Sequence, residues 1–255
     1  MLTDSHCHLQ HPLFKGILPK IMVKARGAGV TRFICCATSE LDWDDVLALA
    51  KQEEGVIPML GQHPWYLGKS KPGWDARLFD SLQTVSAGVG ECGLDFAIED
   101  ADREAQLAAL EPQWRTAVNL GRPMSLHCRK AFDTLFELSK KLGMPSCGAV
   151  IHAFSGSAEQ AVVAAQRGFY ISFACSLMNP NSKRARKAIL ATPQDRLLLE
   201  TDSPDIPPTP GTVNEPANLA QLLNCAAELR GQAADELARQ IGRNADRVFG
   251  MYGRG

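Results

Sequence analysis

Eight short apolar runs recur along a chain of 255 residues, and most of the gaps between them carry helical patterns. The runs lie near residues 2–5, 32–37, 56–61, 87–90, 123–127, 149–152, 169–173 and 197–201. They are apolar at consecutive positions, as strands of a parallel sheet covered on both faces should be. Helical patterns span 42–52, 102–120, 132–142 and 158–166, with glycines just beyond them at 55, 121, 143 and 168. Glycine past the last apolar turn stops a helix because it enters the left-handed conformation at no steric cost. Eight alternating units in about 250 residues is the count of an α/β fold of the (β/α)8 TIM-barrel type, here one domain over residues 1–255. A doubly wound open sheet is the alternative arrangement of the same alternation.

The pattern changes after Thr201. Residues 203–210 hold four prolines, which forbid a helix or a central strand, so the segment reads as a loop leaving the last strand. Asn214-Glu215-Pro216 reads as a helix start, with asparagine as the cap and proline in the first turn. Helical stretches follow at 217–229 and 233–241, and a short final helix runs from 243 to 249.

Chemistry concentrates at the strand ends. The first run passes into Asp4-Ser5-His6-Cys7-His8. Residues i and i+2 of a strand share a face, so His6 and His8 converge and Cys7 points away. Two converging imidazoles form half of a divalent-metal site. An ordinary strand end with idle histidines is the competing reading. The fourth run ends in Gly90-Glu91-Cys92-Gly93-Leu94-Asp95, the fifth in His127, the sixth in His152 and the eighth in Glu200-Thr201-Asp202. In a barrel these ends open on one face, where active sites assemble. Taken singly, each is a hydrogen-bonded histidine or a turn carboxylate. Taken together, one shared site explains them better than five coincidences. Imidazoles mixed with carboxylates suit zinc, manganese or iron better than calcium. Six ligands exceed one tetrahedral ion, which favours two ions with a carboxylate between them.

The formal net charge is −1, so no broad basic field holds a nucleic acid, and a phosphate must be gripped locally. Arg129, two residues past His127, is placed to fork onto a phosphate, or else to sit on the surface loop. Lys183, Arg184, Arg186 and Lys187 form a basic cluster that guides a strand backbone or simply solvates a helix face. His63-Pro64-Trp65-Tyr66 follows the third run; it brings His63 and two aromatic rings to the rim, for base stacking or as a plug. No apolar run is long enough to span a membrane, and Asp4 and two histidines stand where a secretory leader would need a basic and then apolar stretch. Eight scattered cysteines without a C-x-x-C pair fit free thiols in a reducing cytoplasm.

Asp4-Ser-His-Cys-His8, Gly90-Glu-Cys-Gly-Leu-Asp95, His127-Cys-Arg129, Ile151-His-Ala-Phe-Ser-Gly156, Leu199-Glu-Thr-Asp-Ser-Pro204 and Asn244-x-x-Arg247-Val-Phe249 cover nearly the whole chain. In order and spacing the set resembles the TatD-type metal-dependent deoxyribonucleases of the amidohydrolase superfamily. The resemblance implies a (β/α)8 barrel with two divalent ions per subunit, zinc, manganese or magnesium. It implies that His6, His8 and Asp202 serve one ion, that His127 and His152 serve the other, and that Glu91 bridges them. It also implies phosphodiester hydrolysis, with DNA the usual substrate. Many relatives carry a basic residue just before Asn-Glu-Pro, where this chain has Thr212-Val213.

The resulting expectation is a metal-dependent hydrolase of nucleic acid or another phosphoester, a monomer or weak oligomer. Asp202 receives the proton of the attacking water, Glu91 holds the ions together, and Arg129 and His63 contact substrate. A superfamily relative cleaving an amide, ester or lactone is the alternative, disfavoured because no strand-end lysine stands where a carbamylated bridge would. A metal-dependent nucleic-acid-binding protein without catalysis is the second alternative, disfavoured by the complete ligand set with its carboxylate base.

Overall fold

The computed structural model describes residues 1–250. Strand β1 (Leu2–Cys7) leads to helix α1 (Leu18–Gly27), β2 (Val30–Cys36) to α2 (Trp43–Gln52), and β3 (Val56–Leu60) to α3 (Trp74–Thr84). Then come β4 (Gly88–Asp95) and α4 (Arg103–Leu120), β5 (Met124–Arg129) and α5 (Phe132–Leu142), and β6 (Ala149–Ile151) and α6 (Ala158–Gln166). The last repeats are β7 (Tyr170–Phe173) with α7 (Lys183–Ala191), and β8 (Leu197–Leu199) followed by α8 (Leu219–Arg230) and α9 (Ala234–Phe249). The strands form one sheet in sequence order, every neighbouring pair parallel, which is the nearly closed (β/α)8 barrel and not the open doubly wound sheet.

Contacts across the seam between β8 and β1 join first strand to last. Ser5 Oγ donates to Leu199 O at 3.0 Å, Asp202 N–H to His6 O at 3.0 Å, and His8 N–H to Ser203 O at 2.8 Å. Asp4, fully buried, accepts from both the N–H (2.8 Å) and the hydroxyl (2.5 Å) of Thr201. Burial pushes the Asp4 carboxyl up to about 8, although the Thr201 hydrogen bonds oppose the rise.

The strands are buried on both faces, as the consecutive apolar runs predict. The barrel interior is less apolar than those runs suggest. Ser5 and Ser172 hydroxyls meet at 2.7 Å, and Ser125, Thr201 and Glu200 are also buried, each with a polar partner. Small hydroxyl residues satisfy one another where the strand ends crowd together, although Glu200 Oε2 and Ser203 Oγ are buried there without a hydrogen-bond partner.

Three features depart from the sequence reading. Helices α1 and α3 form without a side-chain cap: α1 has only Pro19 in its first turn as a start signal, and α3 begins after Gly73. The stretches 233–241 and 243–249 are one helix, α9, which runs through Gly242; Ile241, Ala245, Val248 and Phe249 bury one continuous stripe, and that burial outweighs the weak propensity of one glycine. Asn214 is not a cap. Its amide nitrogen donates to the carbonyls of Thr201 (2.7 Å), Asp205 (2.9 Å) and Ile206 (3.0 Å), so it fastens the proline-rich loop, and a 3₁₀ turn at Pro216–Asn218 starts the helix instead.

Candidate active site

The β4 end sets the position of Glu91. Gly93, at φ +144°, lies so close to β5 that a Cβ there would sit 2.0 Å from His127 O. Only glycine fits both that conformation and that approach. The β4–β5 register shifts between Val89 and Cys92, and the Glu91 N–H donates to Ala37 O at 2.7 Å, beyond the end of β2. Glu91 thereby enters the mouth with its carboxylate 4% exposed.

Its two oxygens face different histidines. Oε2 lies 3.2 Å from His6 Nε2 and 3.3 Å from His8 Nε2. Oε1 lies 2.7 Å from His152 Nε2, 3.1 Å from His63 Nε2 and 3.4 Å from His127 Nδ1. Asp202 closes the first side, with Oδ1 3.5 Å from His8 Nε2 and 3.8 Å from His6 Nε2. Donor atoms group as His6, His8 and Glu91; as His6, His152 and Asp202; and as His63, Glu91 and His127, each set within 4.8 Å.

The far nitrogen of each ring decides what the near one offers. His8 Nδ1 donates to Cys36 O at 2.8 Å, so Nε2 turns its lone pair inward. His127 Nε2 donates to the Asp95 carboxylate at 2.9 Å, which leaves Nδ1 as the inward donor atom. His6 Nδ1 is bonded to Ser125 Oγ at 2.8 Å, and His152 Nδ1 lies 3.5 Å from Glu200 Oε1. His63 is the opposite case. Its Nδ1 accepts the Trp65 N–H at 3.1 Å, so in the neutral ring Nε2 bears the proton and points inward as a donor.

The inward lone pairs of His8 Nε2 and His127 Nδ1, 3.3 and 3.4 Å from Glu91 oxygens, repel the carboxylate unless a proton or a cation stands between them, and this donor set fits divalent ions. The crowded carboxylates and imidazoles also shift one another's charge. Burial would raise Glu91, but His63, His152 and His6 hold it well below the usual carboxylate range. Burial would likewise raise Asp202, which hydrogen bonding to His8 and the charges of His152 and His6 lower. Burial alone would lower His8 and His152, yet the carboxylates around them drive both well above the ordinary histidine value.

Strained backbone gathers here as well. Lys130, Ala153, Asp202 and Ile206 all have φ between +41° and +58° in the loops after β5, β6 and β8. Such conformations cost of order 1–3 kcal/mol each and persist where the surrounding structure enforces them.

A family model described as TatD-related DNase matches residues 3–250. The chain belongs to the TatD-related DNase family. An uncharacterized metal-dependent hydrolase, YjjV, from Escherichia coli K12 is 34% identical over 253 residues, covering 97% of each protein. The crystal structure of that TatD homologue matches with a TM-score of 0.93, covering 98% of both chains. A 3'-5' ssDNA/RNA exonuclease, TatD, from Erwinia tasmaniensis is 32% identical over 243 residues, covering 91% of this chain and 93% of that protein.

In this TatD-family chain His8, Glu91, His127, His152 and Asp202 line one mouth, and His6, fully buried, lies against Glu91 and Asp202 behind them. The mouth is a cavity of about 950 Å³, and His63 and Arg129 line it too. Arg129 reaches Asp95 Oδ2 at 3.5 Å with half of its side chain exposed. Of the basic cluster only Arg184 lines the cavity. Arg186 instead donates to Leu177 O at 3.3 Å. Two carboxylates escaped the sequence reading. Asp95 holds His127, and Glu200 faces His152 and accepts from the Ala153 N–H. Strand alternation carries a signal for Asp95, four residues past Glu91 in β4, but not for Glu200, which lies beyond the end of β8.

Proposed function

We propose that this TatD-family protein is a metal-dependent phosphodiesterase of nucleic acids, a deoxyribonuclease above all. The observation that carries the reading is Glu91, whose two oxygens address two separate histidine sets. His6, His8 and Asp202 would hold one divalent ion and His127 and His152 a second, with Glu91 shared between them; the imidazole-rich set suits zinc or manganese, with magnesium the third candidate. When bound, such ions supply Lewis acidity and make water acidic enough to ionise near neutral pH.

The chain's own groups do the rest. Asp202, kept ionised by His8, His152 and His6 and open to the cavity, accepts the proton of the attacking water. His63 Nε2–H points at the same region and donates a hydrogen bond to a phosphoryl or leaving oxygen. Arg129 forks onto a phosphate. Asp95 fixes the His127 ring, and Glu200 faces the outer nitrogen of His152. Six of the eight cysteines are buried and all are unpaired, which suits a reducing cytoplasm as the place of work.

The test is a cleavage screen of single- and double-stranded DNA, RNA, a model phosphodiester and simple amide, ester and lactone substrates, with metal-free protein reloaded with zinc, manganese or magnesium. Cleavage of DNA only when metal is present supports the reading. Hydrolysis confined to amides, esters or lactones would replace it.

A further inference from the structure

One aromatic ring stands at the site without a part in the hydrolysis. Trp65 lines the cavity and keeps 53% of its surface exposed. An indole so open is ordinarily free to change rotamer, but this one is tied from below. Its Nε1–H donates to Asp95 Oδ2 at 2.9 Å, and Asp95 is fully buried. The same oxygen receives His127 Nε2 at 2.9 Å and lies 3.5 Å from the Arg129 guanidinium. One buried oxygen therefore fixes an open aromatic ring, a site histidine and a phosphate-sized cation side by side. The indole stands nearly perpendicular to His63, at 89° with ring centroids 5.0 Å apart, and at 68° to His127 at 5.8 Å.

Charge around the rim is divided. Lys69, Arg129 and Arg184 line the cavity, while Asp42, Asp45 and Asp205 form the acidic part of its wall. A polyanion is repelled by the carboxylates and drawn to the cations, and Trp65 shares its anchoring oxygen with one of those cations.

We propose that Trp65 is a stacking platform for the nucleobase next to the phosphate at Glu91 and Arg129. The site then selects nucleotidyl esters over phosphodiesters that lack a flat ring. The proposal rests on the nucleic-acid reading above and adds what that reading lacks, recognition of the base. Every base has a π-face, so the platform recognises that a base is present and not which one.

The experiment compares a thymidine hexanucleotide with a fully abasic hexamer of equal charge. Metal-loaded wild type, Trp65→Leu and Trp65→Phe are assayed for kcat/KM, and chelated protein is titrated with each hexamer by tryptophan fluorescence. Wild type should prefer the base-bearing hexamer by about tenfold or more, the usual scale of one stacked base. Trp65→Leu should bring the ratio towards one, through KM more than kcat. Trp65→Phe keeps a ring without the N–H and should retain most of the preference. The base-bearing hexamer alone should quench wild-type fluorescence, and Trp65→Phe should abolish the quench, since Trp43 and Trp114 are buried and the half-buried Trp74 is not part of the cavity lining. A wild-type ratio near one, or a preference undiminished in Trp65→Leu, overturns the platform. If Trp65→Leu fails to fold, the wild-type ratio and the Trp65→Phe quench still decide. Selective quenching without cleavage of either hexamer keeps the platform and removes the nuclease reading. Equal cleavage of both hexamers keeps the nuclease reading and removes the platform.

Discussion

Single side chains carry most of the proposed chemistry, and Glu91 most of all. Glu91→Gln removes the negative charge that His6, His8, His127 and His152 surround. Bound metal and turnover should fall together, turnover by about 10² or more, because even a residue that only supports a ligand costs 10–100-fold. Two ions retained with near-normal turnover would end the bridging role. Zinc added to metal-free wild type should raise Tm, and the rise should shrink in the variant. Asp202→Asn keeps the shape and an oxygen but cannot take a proton. Turnover should drop by roughly 10²–10⁴ with metal content measured on the same sample. A fully loaded Asp202→Asn protein working within a few-fold of wild type would leave Asp202 a ligand only. The six strand-end donors were legible because strand alternation and the barrel's common open face are simple rules. Asp95 and Glu200 stand in the same strand-end stretches, but their part in facing His127 and His152 was not legible, since it depends on which ring each carboxylate meets in space.

The secondary elements show where local signals suffice. Where a cap is present the helix was legible: Asp102 accepts the Ala105 N–H at 2.9 Å, and Gly121 ends α4 at φ +64°. Helices α1 and α3 have no cap, and packing alone holds them. Strand β4 is the sharpest test of backbone demand. Gly93→Ala puts a methyl 2.0 Å from His127 O in a conformation alanine avoids. Strain and overpacking together should cost about 3 kcal/mol, which moves the urea midpoint down by roughly 1 M or more. A midpoint equal to wild type would mean that β4 and β5 can part without loss, and that Gly93 is not what seats Glu91.

At the scale of the molecule, charge is slightly negative overall and divided in the mouth. The chain carries −1, and three cations line the cavity beside the carboxylates of Asp42, Asp45, Glu91, Asp202 and Asp205. Binding of a single-stranded oligonucleotide should therefore weaken with salt, but gently. Each neutralised phosphate contributes a slope of about −0.7 in log K against log salt, so Lys69, Arg129 and Arg184 together give about −2. A slope steeper than about −4 would mean that basic surface outside the mouth takes part. The barrel itself was legible from eight repeats, whereas the polar seam was not, since only the closed sheet brings Asp4 to Thr201, 197 positions along the chain.

That seam also has a consequence for how the protein is made. A ribosome releases β1 first and β8 last. His6 and His8 emerge early, and so does Asp4, a carboxylate with no hydroxyl yet to meet. The nascent chain therefore offers Glu91 and its imidazoles without the closing strand until Thr201 and Asp202 have cleared the exit tunnel. Synthesis that stops before Thr201 leaves the barrel open and the ion pocket short of a wall. Metal capture and closure of the fold are in this way postponed to the same late moment of translation.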